Sequence, residues 1–306
     1  MRSNRVGSVR VRDRLGEWRQ LLDRCERKPT RKRVHALRVV TLRLQAELDI
    51  DLAELPRASH EAQAILEFSK QGEKLRKVLG PVRELDVWIG KLQGLLASLA
   101  RPGDYVPCST RECMNQIVQF ELRLKEKRRR LEKKLIAAIE KRKGSFAAAG
   151  DIVIDGGPKG DANAARMISA QFAEVVKGFP VLNEENLHEF RKRIKMVRYL
   201  AETHHGDTAC IQFAAQLKKL QSAIGVWHDW QAIAREVRRG RSKGKDAAEL
   251  LEAIAAESLE AALTTCRTIT DKLLADGTLA SAAASVRKPP QPGDHGPSGE
   301  ADRKLA

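Results

Sequence analysis

From Leu187 to Glu202 the chain reads LHEFRKRIKMVRYLAE, with no Pro or Gly, and Leu187, Phe190, Ile194, Val197 and Ala201 recur at helical spacing. That periodicity predicts an amphipathic helix whose apolar stripe faces a core. A second stripe runs beside the first. His188, Arg191, Lys195 and Arg198 stand at i, i+3, i+7 and i+10, and Lys192 is one step round. Like charges on one flank repel, so either an anion neutralises them or the flank is a solvated basic face. The spacing alone fits both.

The same test along the chain predicts more helices. Val11–Arg27 turns Leu15, Trp18, Leu21 and Leu22 inward, and Thr30 is placed to N-cap Arg31–Leu48. In that second helix Val34, Leu37, Thr41, Leu44 and Leu48 form the apolar side. After Pro56 comes a helix over about Ala58–Leu79, a tight turn at Gly80-Pro81, and a helix from Val82 to about Leu99. Further helices are expected at Thr110 to about Lys143, Ala165–Lys177 and Ala209–Ala223, with a turn at Gly225, and at Ala247–Ala275. Asn183 is placed to cap the Leu187 helix. Ile152–Ile154 could be a short extended piece, and 238–245 reads as a basic loop. The implied organisation is a flexible arm at 1–10 and a helical domain at 11–284, followed by a disordered tail at 285–306. The helical domain divides into a first half of about 11–143, a Gly-rich linker of about 144–164 and a second half of about 165–284.

One unit occurs twice: a His-bearing helix, a Lys-bearing helix, a Gly turn and an Asp-bearing helix. Aligning His35 with His188 pairs Arg38 with Arg191 and Leu37 with Phe190. It puts Leu42 and Gln45 where Lys195 and Arg198 stand. Arg43 falls one step off, and Arg31 lies one turn upstream on the flank of His35. Leu75–Leu92 has its counterpart at Leu217–Arg235. There Lys74 and Lys77 resemble Lys218 and Lys219, Asp86 matches Asp229, and Trp88 lies near Trp230. Chance seldom repeats an ordered supersecondary unit, so the basic flanks read as functional.

Charge agrees. Lys plus Arg number 56 against 40 Asp plus Glu, a formal net charge of +16, which predicts attraction to nucleic acid, an anionic membrane surface or a phosphate polymer. Aromatic residues make up 4 % of the chain, too few for single-strand binding by stacking. Leu and Ala dominate the apolar set, which makes the fold class all-α. The cysteines, Cys25, Cys108, Cys113, Cys210 and Cys266, form no C-x-x-C pair and read as reduced thiols of a cytosolic protein. The basic N-terminus lacks the apolar run of a signal peptide, and no stretch approaches the roughly 18 apolar residues of a membrane span. The cations from Arg123 to Lys143 form either a solvated face or one wall of an anion channel. The GGPKG segment lacks the spacing of a phosphate-binding P-loop.

Taken together, four motifs in order resemble the CHAD domain, the conserved histidine α-helical domain. They are VHALRVVTLRL (Val34–Leu44), LGPVRELDVW (Leu79–Trp88), LHEFRKRIKMVRYLAE (Leu187–Glu202) and LQSAIGVWHDW (Leu220–Trp230). The resemblance spans about residues 14–275. It implies two pseudo-symmetric helical bundles around a central basic cavity or pore, and binding of inorganic polyphosphate. In some members it implies association with polyphosphate or polyester storage granules. Carried over by position, the phosphate contacts would be Arg31, His35, Arg38, Arg43, Lys74, Lys77, Arg83, His188, Arg191, Lys192, Lys195 and Arg198, extended by Lys218, Lys219, Arg128 and Lys134. Leu42, Gln45, Met196 and Val226 depart from the family pattern, so the first half is expected to grip less tightly. Some members carry a triphosphate tunnel metalloenzyme domain. None is present here, so the resemblance implies no turnover, catalytic residue, metal or cofactor. The expected location is the cytoplasm, on granules where these exist.

The chemistry suits that reading. A polyphosphate presents charge and no base edges, so its site needs Arg for bidentate contacts and Lys as point charges. His35 and His188 would act as charge-assisted donors near phosphate, or as neutral residues at helix contacts. Asp86 and Asp229 are expected to orient Arg or cap helix starts. Two other readings stand beside it. A nucleic-acid-binding helical protein is disfavoured by the scarce aromatics and the lack of a helix-turn-helix signature. An HD-type metal phosphohydrolase could use His228-Asp229 with His204, His205 and Asp271. Against it, Asp86 follows Leu85 and not a His.

Overall fold

The computed structural model describes residues 5–100, 111–150, 164–203, 208–240 and 245–275. Among these, the regular structure is eight α-helices: α1 (Arg5–Arg27), α2 (Arg31–Glu54), α3 (His60–Leu99), α4 (Arg111–Gly150), α5 (Ala164–Lys177), α6 (Leu187–Thr203), α7 (Thr208–Arg239) and α8 (Lys245–Ala275). The described residues are all-α, as the composition predicts. The helix ends follow local chemistry. Thr30 sits in extended backbone and its side chain accepts from the Arg33 N–H at the start of α2, and Ser59 does the same for Ala62 in α3. Arg33 in turn donates to the Arg24 and Lys28 carbonyls (3.1 and 3.0 Å), covering the end of α1. The side-chain oxygen of Asn183 accepts from the Glu185 and Asn186 N–H groups (both 3.1 Å) in the turn before α6.

Several boundaries differ from the sequence reading. α1 begins at Arg5, within the stretch expected to be an arm, and α4 continues to Gly150, into the expected linker. The tail, Cys108, Ile152–Ile154, and His204 and His205 lie outside the described residues. The larger corrections are at Gly80-Pro81 and Gly225, where turns were expected and α3 and α7 run straight through. Pro81 has no N–H to give the Lys77 carbonyl, a loss of roughly 3 kcal/mol in a helix interior. The helix survives because both sides of the break are held. Leu75, Leu79 and Val82 are buried in one core, and Leu85, Trp88 and Leu92 in another. α7 likewise places Leu220, Ile224 and Trp227 in one core and Ile233 and Ala234 in the next.

Those cores organise the molecule. Helices α1, α2, α3 and α4 enclose one, around Trp18, Leu37, Leu44 and Phe68. Helices α5, α6, α7 and α8 enclose a second, around Phe172, Phe190, Ile194 and Phe213. The third is shared by α3, α4, α7 and α8. Buried positions repeat between the first two cores: Val34, Leu37, Thr41, Leu44 and Leu48 in α2 against Leu187, Phe190, Ile194, Val197 and Ala201 in α6. In α3 and α7, Phe68, Leu75, Leu79 and Val82 stand against Phe213, Leu220, Ile224 and Trp227. Besides the shared core, α2 meets α6 and α3 meets α7. Cys25, Cys113, Cys210 and Cys266 are buried. Burial pushes the Cys25 and Cys266 thiols up to about 12, which keeps them unreactive.

Candidate functional site

The apolar stripe of α6 is buried, which fixes the rotation of the helix and leaves Arg191, Lys195 and Arg198 on the flank beside it. Three arginines lie against helix glycines. Arg191 rests on Gly225 of α7, where a Cβ would sit 3.3 Å from its Nη2. Arg38 of α2 rests on Gly80 of α3, at 3.8 Å from such a Cβ, and donates to the Arg76 carbonyl at 3.4 Å. Arg31 covers Gly90, where a Cβ would come within 2.7 Å of its Nη2. These glycines are therefore seats for guanidinium groups and not turns. They also reset the repeat. With Gly80 matched to Gly225, the partner of Asp229 is Glu84, and the expected match of Asp86 with Asp229 does not hold.

Cations from three helices act on one another. Lys195, half-buried, has its ammonium pKa pushed from 10.5 to about 8, first by burial and then by Arg38, Arg191, Arg198 and Arg76. Arg38 is held below its ordinary value by burial and by Arg76 and Arg191, with Tyr199 opposing. Burial also lowers Arg191, against Asp229 and Tyr199. Partial burial lowers His35, followed by Arg83, Arg31 and Arg38. Arg83 is lowered by burial and Arg31, and is partly supported by Asp86 and Asp229. The Arg76 Nη1, Arg191 Nε and Arg198 Nε donors are buried without a hydrogen-bond acceptor among the described residues. Each such donor costs roughly 1–3 kcal/mol unless something meets it. A cluster of cations with unmet donors is a site that an anion would complete.

The remaining predicted residues fall into three groups. Arg198 and Arg43 flank one carboxylate, Glu202, at 3.3 and 3.9 Å, and the ring of Tyr199 lies under Arg198 (4.7 Å) and Lys195 (5.4 Å). His188 stacks on His228 at 5.0 Å, and its pKa is lowered by burial and then by His228, Lys192 and Arg191. A second group points to solvent. Lys192 pairs with Glu189 and Lys77 with Glu73, while Lys74, Lys134 and Lys219 are exposed. Lys218, also exposed, lies on the rim of a hollow of about 430 Å³ with Arg14, Arg43 and Tyr199. Arg128 stands by itself. Its Nε donates to Asp86 at 3.1 Å, its Nη1 to Glu132 and its Nη2 to the Pro29 carbonyl, so its donors are committed to the fold. Asp86 orients an arginine, as expected, but a structural one.

Sequence reading missed Arg76 and Tyr199. The signal for Arg76 was present: Gly72, Arg76, Gly80 and Arg83 fall at i, i+4, i+8 and i+11, a stripe of alternating glycines and arginines on α3. Tyr199 carried no such signal. As for an HD-type centre, no three His, Cys, Asp or Glu side chains converge as a metal requires among the described residues. His228 Nδ1 lies 4.0 Å from Asp229.

No curated protein matches the chain. The CHAD domain family model does match, over residues 9–239, a span that holds both His-bearing helices and both glycine-seated arginine pairs, Arg38 on Gly80 and Arg191 on Gly225. With that match covering most of the chain, and the duplicated His-helix and Gly-seat arrangement inside it, this protein belongs to the CHAD domain family.

Proposed function

We propose that this protein binds inorganic polyphosphate, without turnover, along the cationic strip formed by α2, α3 and α6. The observation that carries the reading is the convergence of Arg38, Arg76, Arg191, Lys195 and Arg198, with three buried guanidinium donors left unmet and the Lys195 ammonium weakened by its neighbours. A chain of phosphates supplies one acceptor after another and asks for no base recognition. The family is associated with polyphosphate, which points the same way. In this reading the halves 11–143 and 165–284 are pseudo-symmetric bundles, packed α2 on α6 and α3 on α7, and the strip is the inner face of a central basic pore. α8, beyond the matched residues, completes two of the three cores and belongs to the same domain. Among the described residues no helix is long and apolar enough to cross a membrane. Residence in the cytoplasm at polyphosphate-containing granules is part of the proposal.

Calorimetric titration with polyphosphate across salt concentrations tests it. Log affinity should fall against log salt by about 0.7 per phosphate neutralised, by analogy with single-stranded nucleic acid. Polyphosphate should displace DNA at matched phosphate concentration, because the strip offers cations and few stacking rings. No polyphosphate binding at any salt concentration would overturn the reading, and bound DNA that polyphosphate fails to displace would favour a nucleic-acid binder instead.

pH supplies an independent arm. A bound phosphate raises the Lys195 pKa above its free value of about 8. Below pH 8 the amine is charged with or without ligand, and affinity is full. As the pH rises past 8, binding must draw in a proton and affinity falls. The unliganded fold behaves in the opposite sense. Its Lys195 pKa of about 8 lies below the ordinary 10.5, so the unfolded chain holds more protons between those values and stability rises with pH across that window.

A further inference from the structure

We infer that Glu202 and Asp229 bracket the cationic strip and limit the run of phosphates that one molecule accepts, an inference that rests on the polyphosphate reading above. On α6 the stripe Arg191, Lys195, Arg198 does not end in solvent. Its next member, at i+11 from Arg191, is Glu202. Glu202 stands 3.3 Å from Arg198 and 3.9 Å from Arg43, so it already occupies the last cations of that end as an internal anion. The other end of the α6 stripe also meets a carboxylate. Arg191 lies on Gly225 of α7, and Asp229 is one helical turn further on the same face, beside His228 and the His188 ring stacked on it. Asp229 acts favourably on both Arg191 and Arg83.

Arg191 and Glu202 are eleven residues apart, about 16 Å of helix at about 1.5 Å per residue. A short oligophosphate can be held within that length by Arg191, Lys195 and Arg198 without reaching Glu202. A long polyphosphate must either leave the strip before its ends or run past two negative charges. Unlike a uniformly basic groove, this arrangement favours a short internal segment and penalises continuation of the same chain along the helix.

The test measures the ratio of affinities for long-chain polyphosphate and tripolyphosphate, at one ionic strength, for the wild type, Glu202→Gln and Asp229→Asn. Each variant should raise that ratio about three- to tenfold, the size of one like-charge repulsion felt partly through water. The double variant should raise it further. The variants stand at opposite ends of the strip, so either is informative if the other folds poorly, and helical content by circular dichroism verifies each. An unchanged ratio in the folded variants, with both ligands shifted equally, would overturn the bracket and make the carboxylates plain countercharges. A wild type that binds neither ligand would instead overturn the polyphosphate reading itself.

Discussion

Arg191→Glu together with Lys195→Glu should lower polyphosphate affinity by about 100-fold or more, enough to abolish retention, while leaving the helical content unchanged. Each substitution removes a cation and leaves an anion where Arg38 and Arg76 would have faced the ligand. At close range in a partly buried site, such a reversal acts on every phosphate in reach. The fold has little reason to suffer. Both residues lie on the flank of α6, and the buried stripe of Leu187, Phe190, Ile194, Val197 and Ala201 is untouched. The carboxylate introduced at Lys195 would also face Arg76 and Arg198, whose guanidinium donors are unmet in the native protein. A control with the same change in net charge is Lys133→Glu with Lys141→Glu, both exposed on α4. Equal loss in that control would mean that attraction to polyphosphate is diffuse and that the strip is not the site. Binding unchanged by the Arg191, Lys195 pair would refute the placement outright.

Arg128→Ala should cost about 3 kcal/mol of stability, read as a melting temperature lower by roughly 5–10 °C. The residue stands in the most basic segment of the chain. Its guanidinium nevertheless ties the Asp86 carboxylate of α3, Glu132 of its own helix and the Pro29 carbonyl before α2 into one knot. Asp86 is 6 % exposed. Truncating its partner leaves a buried charge to be rehydrated, and that penalty exceeds the value of the pair itself. Replacing Asp86 by Leu along with Arg128 by Met should therefore restore most of the loss. Polyphosphate affinity of the folded fraction should remain native. Native stability with lost binding would instead return Arg128 to the ligand site.

Much of this protein can be read along the chain, because helical periodicity is a local property. The stripe in LHEFRKRIKMVRYLAE determines which face of α6 is buried, and hence which flank carries Arg191 and Lys195. The echo of that stripe around His35 announces the duplication, and Thr30 announces the start of α2. The failures come where a residue's meaning depends on what lies across from it. Gly80-Pro81 and Gly225 read locally as breaks. Yet α3 and α7 each span two cores, and burial on both sides outweighs the local preference to turn. The same glycines are needed because arginines from α2 and α6 lie directly upon them.

The sequence by itself determined the helical class and the repeated basic flanks, since composition and period need no partner to be interpreted, and its charge surplus is what the proposed polyanion rests on. Only the tertiary structure distinguished cations committed to the fold from cations whose donors it leaves unmet. Arg128 and Arg191 look alike in the sequence. One finds three acceptors within the protein, whereas the other keeps a buried donor unmet. A side chain's charge is intrinsic, but whether that charge is already neutralised depends on distances between helices far apart in the chain.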